Sequence, residues 1–258
     1  MPAPQPPRRP PRRPPADLPE RTLGLNAALA VAAVRPHEIL RITHTRTVRN
    51  AIGEMLRMAA AARIPYGEVS DDELSRMVES THHEGICVTA RPRRMLDLAG
   101  LASRLGAREA RGALALDHVA NPHNLGAIVR SAAYFGLDAV ILRANESGKS
   151  PLTPAAVRIA EGGAEHVAIA AVPDMADALR ALRTRNVEIV GTDAQRGESI
   201  FERAMIVPSV VVMGSEHAGM TAATRAVCDR LVAIPGSGVL DSLNVSVAAG
   251  VVMAVMTG

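Results

Sequence analysis

The sequence predicts an α/β protein: a C-terminal domain built on a parallel sheet, preceded by a smaller α/β unit. Two observations carry this. From Gly112 onward, short apolar runs that end in polar residues or glycine alternate with segments of helical spacing, the signature of a parallel sheet covered on both faces. The composition is globular, with 48% hydrophobic and 21% charged residues over 258 positions, enough chain to bury a substantial core.

Composition also excludes several classes. Tyr66, Tyr134, Phe135 and Phe201 are the only aromatic residues, and there is no Trp. So few rings cannot form a platform that stacks single-stranded bases. Cys87 and Cys228 are the only cysteines. They are too few for a disulfide framework or a zinc cluster and suit a reducing cytosol, so a cytoplasmic protein is expected. No apolar run is long enough to span a bilayer.

The elements follow in order. Residues 1–15 hold eight prolines, four arginines and no acid. This segment, extended to residue 17, is expected to be a disordered tail. It lacks the apolar stretch of a signal peptide. The tail accounts for most of the basic character, since the net charge of +3 becomes about −1 without its four arginines. Residues 18–94 read as the small unit, with helix over 24–34, a strand over Ile39–Ile42, helical spacing over 47–62, a short helix through Val78 capped by Asp71 and Asp72, and a strand over Gly85–Ala90. Residues 91–111 hold six arginines and read as a connection with some helix, with 95–111 as the linker proper.

In the large domain, 112–258, strands are expected at 113–117, 138–142, 166–172, 187–191, 210–214 and 231–234. Helices are expected near 125–136, 154–161, 174–185 and 221–228. The last segment, Val245–Met256, is apolar all round. At about twelve residues it is too short to cross a membrane, and is buried in the fold or in a subunit interface.

Three segments stand out chemically, each after an expected strand. In the first, Asp117–Arg130, Asn124 is placed to cap a helix whose buried face is Leu125, Ile128, Val129 and Ala132, with Arg130 off that face. On its own this reads as a capped helix with a surface arginine or as a strand-end arginine aimed at an anion or polar ligand. The second, Val210–Gly219, runs a strand into a loop where Glu216 is flanked by glycines. By itself it is a tight turn with a solvated acid or a site loop. The third, Ile234–Ser246, has a glycine loop followed by Ser242 and Asn244 at the start of the apolar helix, where they serve as caps, as ligands or as both.

Taken together, the three segments resemble the SpoU (TrmH) superfamily of RNA ribose methyltransferases. The first carries N-x-G-x-x-x-R as Asn124, Gly126 and Arg130. The second carries G-x-E-x-x-G as Gly214, Glu216 and Gly219. The third carries Ile234, Pro235 and Gly238, then Ser-Leu-Asn-Val-Ser at 242–246. Residues 21–92 look like the family's small substrate-binding domain, including the H-x-G-I turn at His83–Ile86.

The resemblance implies a trefoil-knotted C-terminal domain, although knots run against ordinary topology rules. It also implies a homodimer with a site shared between subunits, and S-adenosylmethionine bound at the knot. Gly236-Ser-Gly238 lacks the third glycine of a dinucleotide fingerprint, in keeping with that picture. The implied reaction is methyl transfer to a ribose 2′-oxygen in RNA. The implied target is 23S rRNA guanosine, with a tRNA substrate or a catalytically inactive RNA-binding homologue as alternatives.

The implied site residues are Asn124, Arg130, Glu216, Ser242 and Asn244. Cofactor contacts are implied for Thr192, Met213, Gly214, Ile234, Pro235 and Leu243. The reaction requires nucleophile, methyl carbon and leaving sulfur in line, and loss of the hydroxyl proton. No metal is implied. His82-His83-Glu84 offers adjacent ligands on a turn, a poor chelate with no cluster to complete it. Ser215-Glu216-His217 lacks the G-x-S-x-G elbow of a hydrolase.

The tail is either a passive extension or an RNA-binding arm. As an arm, its four arginines add up to four phosphate contacts, each worth about 0.7 in the salt slope for single strands. Deleting residues 1–15 should then weaken RNA binding most at low salt and leave cofactor affinity alone. An unchanged slope in a salt titration would make the tail passive.

Overall fold

The computed structural model describes residues 18–144, 152–202, 204–206, 208–215 and 218–258. The Pro/Arg tail and Glu216 lie outside the described residues.

Residues 20–90 form a four-stranded sheet with strands β1 (Glu20–Leu23), β2 (Ile39–His44), β3 (Tyr66–Glu68) and β4 (Ile86–Ala90), in the order β1-β4-β2-β3. β4 pairs antiparallel with both β1 and β2, and β3 joins β2 in parallel. Helices α1 (Leu25–Val34) and α2 (Gly53–Ala61) cover one face through Ala28, Val31, Met55 and Ala59 against Ile42, Ile86 and Val88. α3 (Asp71–Val78) covers the other through Leu74, which meets Leu23 and Cys87.

Local chemistry accounts for the departures from expectation here. Ser70 caps α3, accepting from the Glu73 N–H at 3.2 Å. Asp71 and Asp72 sit in the first turn instead, where their charge complements the helix dipole. The helix expected over 47–62 is shortened to α2, with a separate 3-10 turn over Arg46–Val48.

The large sheet has seven parallel strands: β5 (Ala113–Asp117), β6 (Ala139–Arg143), β7 (Ala168–Val172), β8 (Glu188–Thr192), β9 (Glu198–Ser199), β10 (Ser209–Gly214) and β11 (Arg230–Ala233). Their order is β7-β6-β5-β10-β8-β11-β9. Alternate residues serve opposite faces, as strand geometry requires. Leu114, Leu116, Val211 and Met213 pack under α5 (Pro122–Phe135), α6 (Pro154–Ile159) and α10 (Val245–Thr257). Ala113, Ala115, Val210 and Val212 pack under α4 (Leu98–Leu105) and α8 (Met175–Arg183), beside the chain around α9 (Ala222–Arg225). A four-residue helix, α7 (Gly163–His166), joins α6 to β7.

β1, β3 and β9 were not expected from the sequence. β3 and β9 have only three and two residues, too short to show a period.

The segment over 95–111 is more than a connection. Leu96 bridges to Ala170 of β7, Asp97 caps α4 through the Gly100 N–H, and Leu101 and Leu105 are fully buried in the core of the large sheet. Leu105→Ala should therefore cost about 2–5 kcal/mol, the range for truncating a buried leucine. In a solvated linker the same change would stay within about 0.5 kcal/mol. Urea denaturation of the two proteins distinguishes these outcomes.

Candidate active site

The carboxyl ends of neighbouring parallel strands line up along one edge of the large sheet. β10 lies between β5 and β8, with Gly214 opposite Asp117 and Val212 opposite Gly191; β11 follows, with Val232 opposite Thr192. This register brings Thr192, Met213, Gly214, Ile234 and Pro235 to adjacent strand ends. Open parallel sheets bind ligands beyond such an edge. Thr192 donates its hydroxyl to the Val212 carbonyl at 3.0 Å, fixing β8 to β10 through a side chain. Met213 turns its side chain into the core, so its backbone is what it offers at the edge.

Gly214 is required by close approach. A Cβ there would lie 2.2 Å from the carbonyl carbon of Gly219 and 2.3 Å from the Met220 nitrogen. Ser215 and Gly219 exchange both backbone hydrogen bonds, at 3.1 and 2.9 Å. The chain thus folds back tightly onto the end of β10.

Two of the expected site residues meet directly. The Asn244 side-chain amide donates to Asn124 Oδ1 at 3.1 Å, joining residues 120 positions apart. Asn244 also caps α10, its Oδ1 accepting from the Ser246 N–H at 2.9 Å and from the Ser246 hydroxyl at 2.5 Å.

Asn124 itself is not a cap. α5 begins earlier, at Pro122, whose ring suits the first helical position. Asn121 is the cap, accepting from the His123 N–H at 2.9 Å. Asn124 therefore stands in the first turn, its side chain turned toward α10.

Arg130 is exposed on α5, as its position off the apolar face implied. No hydrogen bond or ion pair with another described residue holds its guanidinium. Six residues beyond Asn124, it lies about 9 Å farther along the helix and on a different face. Within one chain, then, Arg130 does not join the Asn124–Asn244 pair. Ser242 and Leu243 are exposed in the loop from Gly236 to Leu243, all of which faces solvent.

Two ion-assisted ties hold the chain that follows β10, and motif reading missed both. Asp117, 3% exposed at the end of β5, accepts from the Thr221 N–H at 2.7 Å. Asp193, just after β8, pairs with Arg225 of α9 and accepts from the Gln195 and Arg196 N–H groups at 3.0 and 3.2 Å. Burial works to raise the Asp193 carboxyl. The Arg225 hydrogen bond and the backbone donors outweigh it and hold the group below the usual carboxylate range. The acid at the end of an apolar strand was the available signal for Asp117. Nothing local announces Arg225 as the partner of Asp193.

Among the described residues, no group of three or more His, Cys, Asp or Glu converges as a metal site, and no helix is long and apolar enough to cross a membrane. The donor set at the strand ends is backbone N–H and C=O groups, amides and hydroxyls. It suits a polar organic ligand lying along the edge.

Residues 112–254 match the SpoU rRNA Methylase family, and residues 23–96 match the RNA 2′-O ribose methyltransferase substrate binding family. The chain is 36% identical over 233 residues to the 23S rRNA (guanosine-2′-O-)-methyltransferase RlmB of Yersinia pestis, covering 88% of this chain and 92% of that one. It is 35% identical over 236 residues to the uncharacterized tRNA/rRNA methyltransferase YfiF of Escherichia coli O157:H7, covering 90% of this chain and 66% of the relative. Its fold superimposes on the SpoU methyltransferase AviRb of Streptomyces viridochromogenes, solved with AdoMet, with a TM-score of 0.76 at 22% identity, covering 93% and 89% of the two chains. A seven-stranded parallel sheet carrying the three motifs at its carboxyl edge, joined to a small substrate-binding module, places this chain in the SpoU methyltransferase family.

Proposed function

We propose that the protein methylates a ribose 2′-hydroxyl in structured RNA, with S-adenosylmethionine as methyl donor. The Asn124–Asn244 bond carries this reading. It brings the first and third motifs together beside the strand ends where Thr192, Met213, Gly214, Ile234 and Pro235 stand. The relative named as acting on 23S rRNA guanosine is matched over nearly its whole length, which favours that substrate over tRNA and a cytoplasmic setting. The intact motif side chains favour an active enzyme over an inactive RNA-binding homologue.

The strand ends fit the donor. They present backbone groups to its polar parts, with Leu243 supplying an apolar contact at the loop. When bound, S-adenosylmethionine supplies an electrophilic methyl carbon. The amides of Asn124 and Asn244 are fixed by each other and by the α10 cap, so they orient a neighbouring ribose without reorganising. By the family pattern, Ser242 and Glu216 are assigned polar roles in the same site.

A guanidinium does not give up its proton in a protein, so Arg130 is assigned no base role. It grips the phosphate next to the target ribose and stabilises the oxyanion that develops as the hydroxyl proton leaves. We also read the C-terminal domain as knotted, as membership of the family implies.

The site is read as shared within a homodimer. Arg130 stands apart from Asn124 and Asn244 in one chain, so a second copy is needed to complete the set. Val239, Leu240, Leu243 and Val247 are exposed by 84, 81, 47 and 53%. This is an apolar stretch next to the site of the kind that obligate interfaces cover. Light scattering should find a dimer at micromolar concentration. A fully active monomer would overturn the shared site.

Arg130→Ala should leave the melting temperature and the dimer intact, since an exposed side chain without partners among the described residues usually contributes within about 0.5 kcal/mol. Methyl transfer should fall at least about 100-fold, the scale for losing one preorganised charge-stabilising donor. Arg130→Lys keeps the charge but not the planar fork, so it should restore little. S-adenosylmethionine affinity by calorimetry should hardly move in either variant. Near-normal single-turnover transfer by Arg130→Ala with saturating RNA would return Arg130 to the surface.

A further inference from the structure

The small module and the large domain meet at α6 and α7: Arg158 of α6 pairs with Glu84 at 3.6 Å, Asn26 donates to Glu161 just after α6 at 2.6 Å, and α7, a helix of four residues, packs against α1. On one side of it, a Cβ at Gly163 would lie 2.9 Å from the Arg130 Cα and 3.1 Å from the Val129 carbonyl oxygen. On the other side, Gly162 is in the left-handed region at φ +90°, and a Cβ there would lie 2.8 Å from the Ala30 Cβ and 3.2 Å from the Asn26 carbonyl oxygen of α1. Two successive glycines thus let α7 lie in backbone contact with α5 at Arg130 and with the first helix of the module.

Glu165, on the same short helix, has its side chain only 4% exposed. It holds two arginines that belong to neither α7 nor the large sheet. Arg35, at the end of α1, forks onto it, Nε to Oε2 at 2.8 Å and Nη2 to Oε1 at 3.2 Å. Arg93, in the chain leaving β4, donates Nη2 to Oε1 at 2.5 Å. Arg35 also donates to Glu38 at 3.1 Å and to the Arg91 carbonyl at 2.7 Å, and pairs with Glu20 of β1. Both arginine side chains are only 11% exposed.

Burial works to raise the Glu165 carboxyl, but hydrogen bonds from Arg35 and the charge and hydrogen bond of Arg93 hold it below the usual carboxylate range. Bidentate, charge-assisted contacts of this type fix geometry as well as adding energy.

We infer that Glu165 is a positioning residue for methyl transfer: by holding Arg35 and Arg93 it docks the RNA-binding module on α7, and through Gly162 and Gly163 it sets where the module presents RNA relative to Arg130. This rests on the reading of the small module as the RNA-binding part and of Arg130 as the residue that meets substrate. Loosening the dock leaves both surfaces intact but lets bound RNA sample poses in which the target ribose misses the site. The cost therefore falls on turnover and not on binding.

The test uses the full chain and Glu165→Gln, which keeps the shape and removes the charge. Spin labels at Ala60 of α2 and Tyr134 of α5, both exposed, report the distance between module and sheet once Cys87 and Cys228 are replaced by serine. Wild type should give one narrow distance distribution and Glu165→Gln a broad one. With unmethylated 23S rRNA transcript, the single-turnover rate at saturating RNA should fall about tenfold or more in the variant. RNA and S-adenosylmethionine affinities should stay within about twofold.

Arg93→Gln, which removes one of the two arms from outside both helices, should shift both readouts the same way and serves if Glu165→Gln does not fold. A distribution that stays narrow in the variants would overturn the dock. Broadening without loss of rate would overturn the positioning role. If wild type itself transferred no methyl group to this RNA, the failure would belong to the substrate reading, and the label distances would still decide whether Glu165 holds the module.

Discussion

The carboxyl end of β10 is the point about which the candidate site is organised. β10 is central, with β5 and β8 hydrogen-bonded on either side, and Val210, Val211 and Val212 are fully buried. Its register fixes which residues of its neighbours reach the sheet edge. A slip by one residue would turn every side chain of β10 to the opposite face and take Gly214 out of line with Asp117. The absence of a side chain at Gly214 allows the Gly219–Met220 backbone to lie against the strand. From that contact follow the paired Ser215–Gly219 turn and the start of α9. Asp117 and Asp193 then anchor the returning chain from the two flanking strands.

The same logic of anchoring at strand and helix ends operates at the junction of the two sheets. Buried charges are costly to desolvate, and a network such as Glu165 with Arg35 and Arg93 is weak evidence for net stability. Its value is directional. The Arg35 fork accepts few geometries, so the network, together with the Arg158–Glu84 and Asn26–Glu161 contacts, constrains how the module sits. The glycines at 162 and 163 allow this short range. A bulkier residue at either position would push α7 away from α1 or from the backbone at Arg130.

Much of the large domain was legible in the sequence because its strands are near-continuous apolar runs and its helices have a clear face. ALALD at 113–117 and VVVMG at 210–214 appear as strands within a residue of where they were expected. The short strands β3 and β9 were not legible, since two or three residues show no period and form only because a neighbour offers hydrogen bonds. Caps were misassigned where two candidates stood close together. Asn121 prevails over Asn124 because Pro122 starts the helix early, and Ser70, one residue before Asp71, supplies the oxygen that accepts from the Glu73 N–H.

The site residues were legible only as a set of motifs. Local pattern could not show that Asn124 meets Asn244, that Arg225 meets Asp193, or that Arg35 meets Glu165, 130 positions away. These are pairings between elements whose separate sequences look like ordinary solvated helix ends.

The central claim is that the carboxyl ends of β10, β8 and β11, with the loop before α10, form the methyl-donor site. Hydrogen–deuterium exchange of the full chain with and without S-adenosylmethionine tests it directly, because backbone groups supply most of the proposed contacts. Protection should appear in peptides covering Thr192–Asp193, Met213–Ser215 and Ile234–Leu243, and not in the small module's sheet. Saturating S-adenosylmethionine that left all three segments exchanging at their free rates, or protected a different region, would contradict the account.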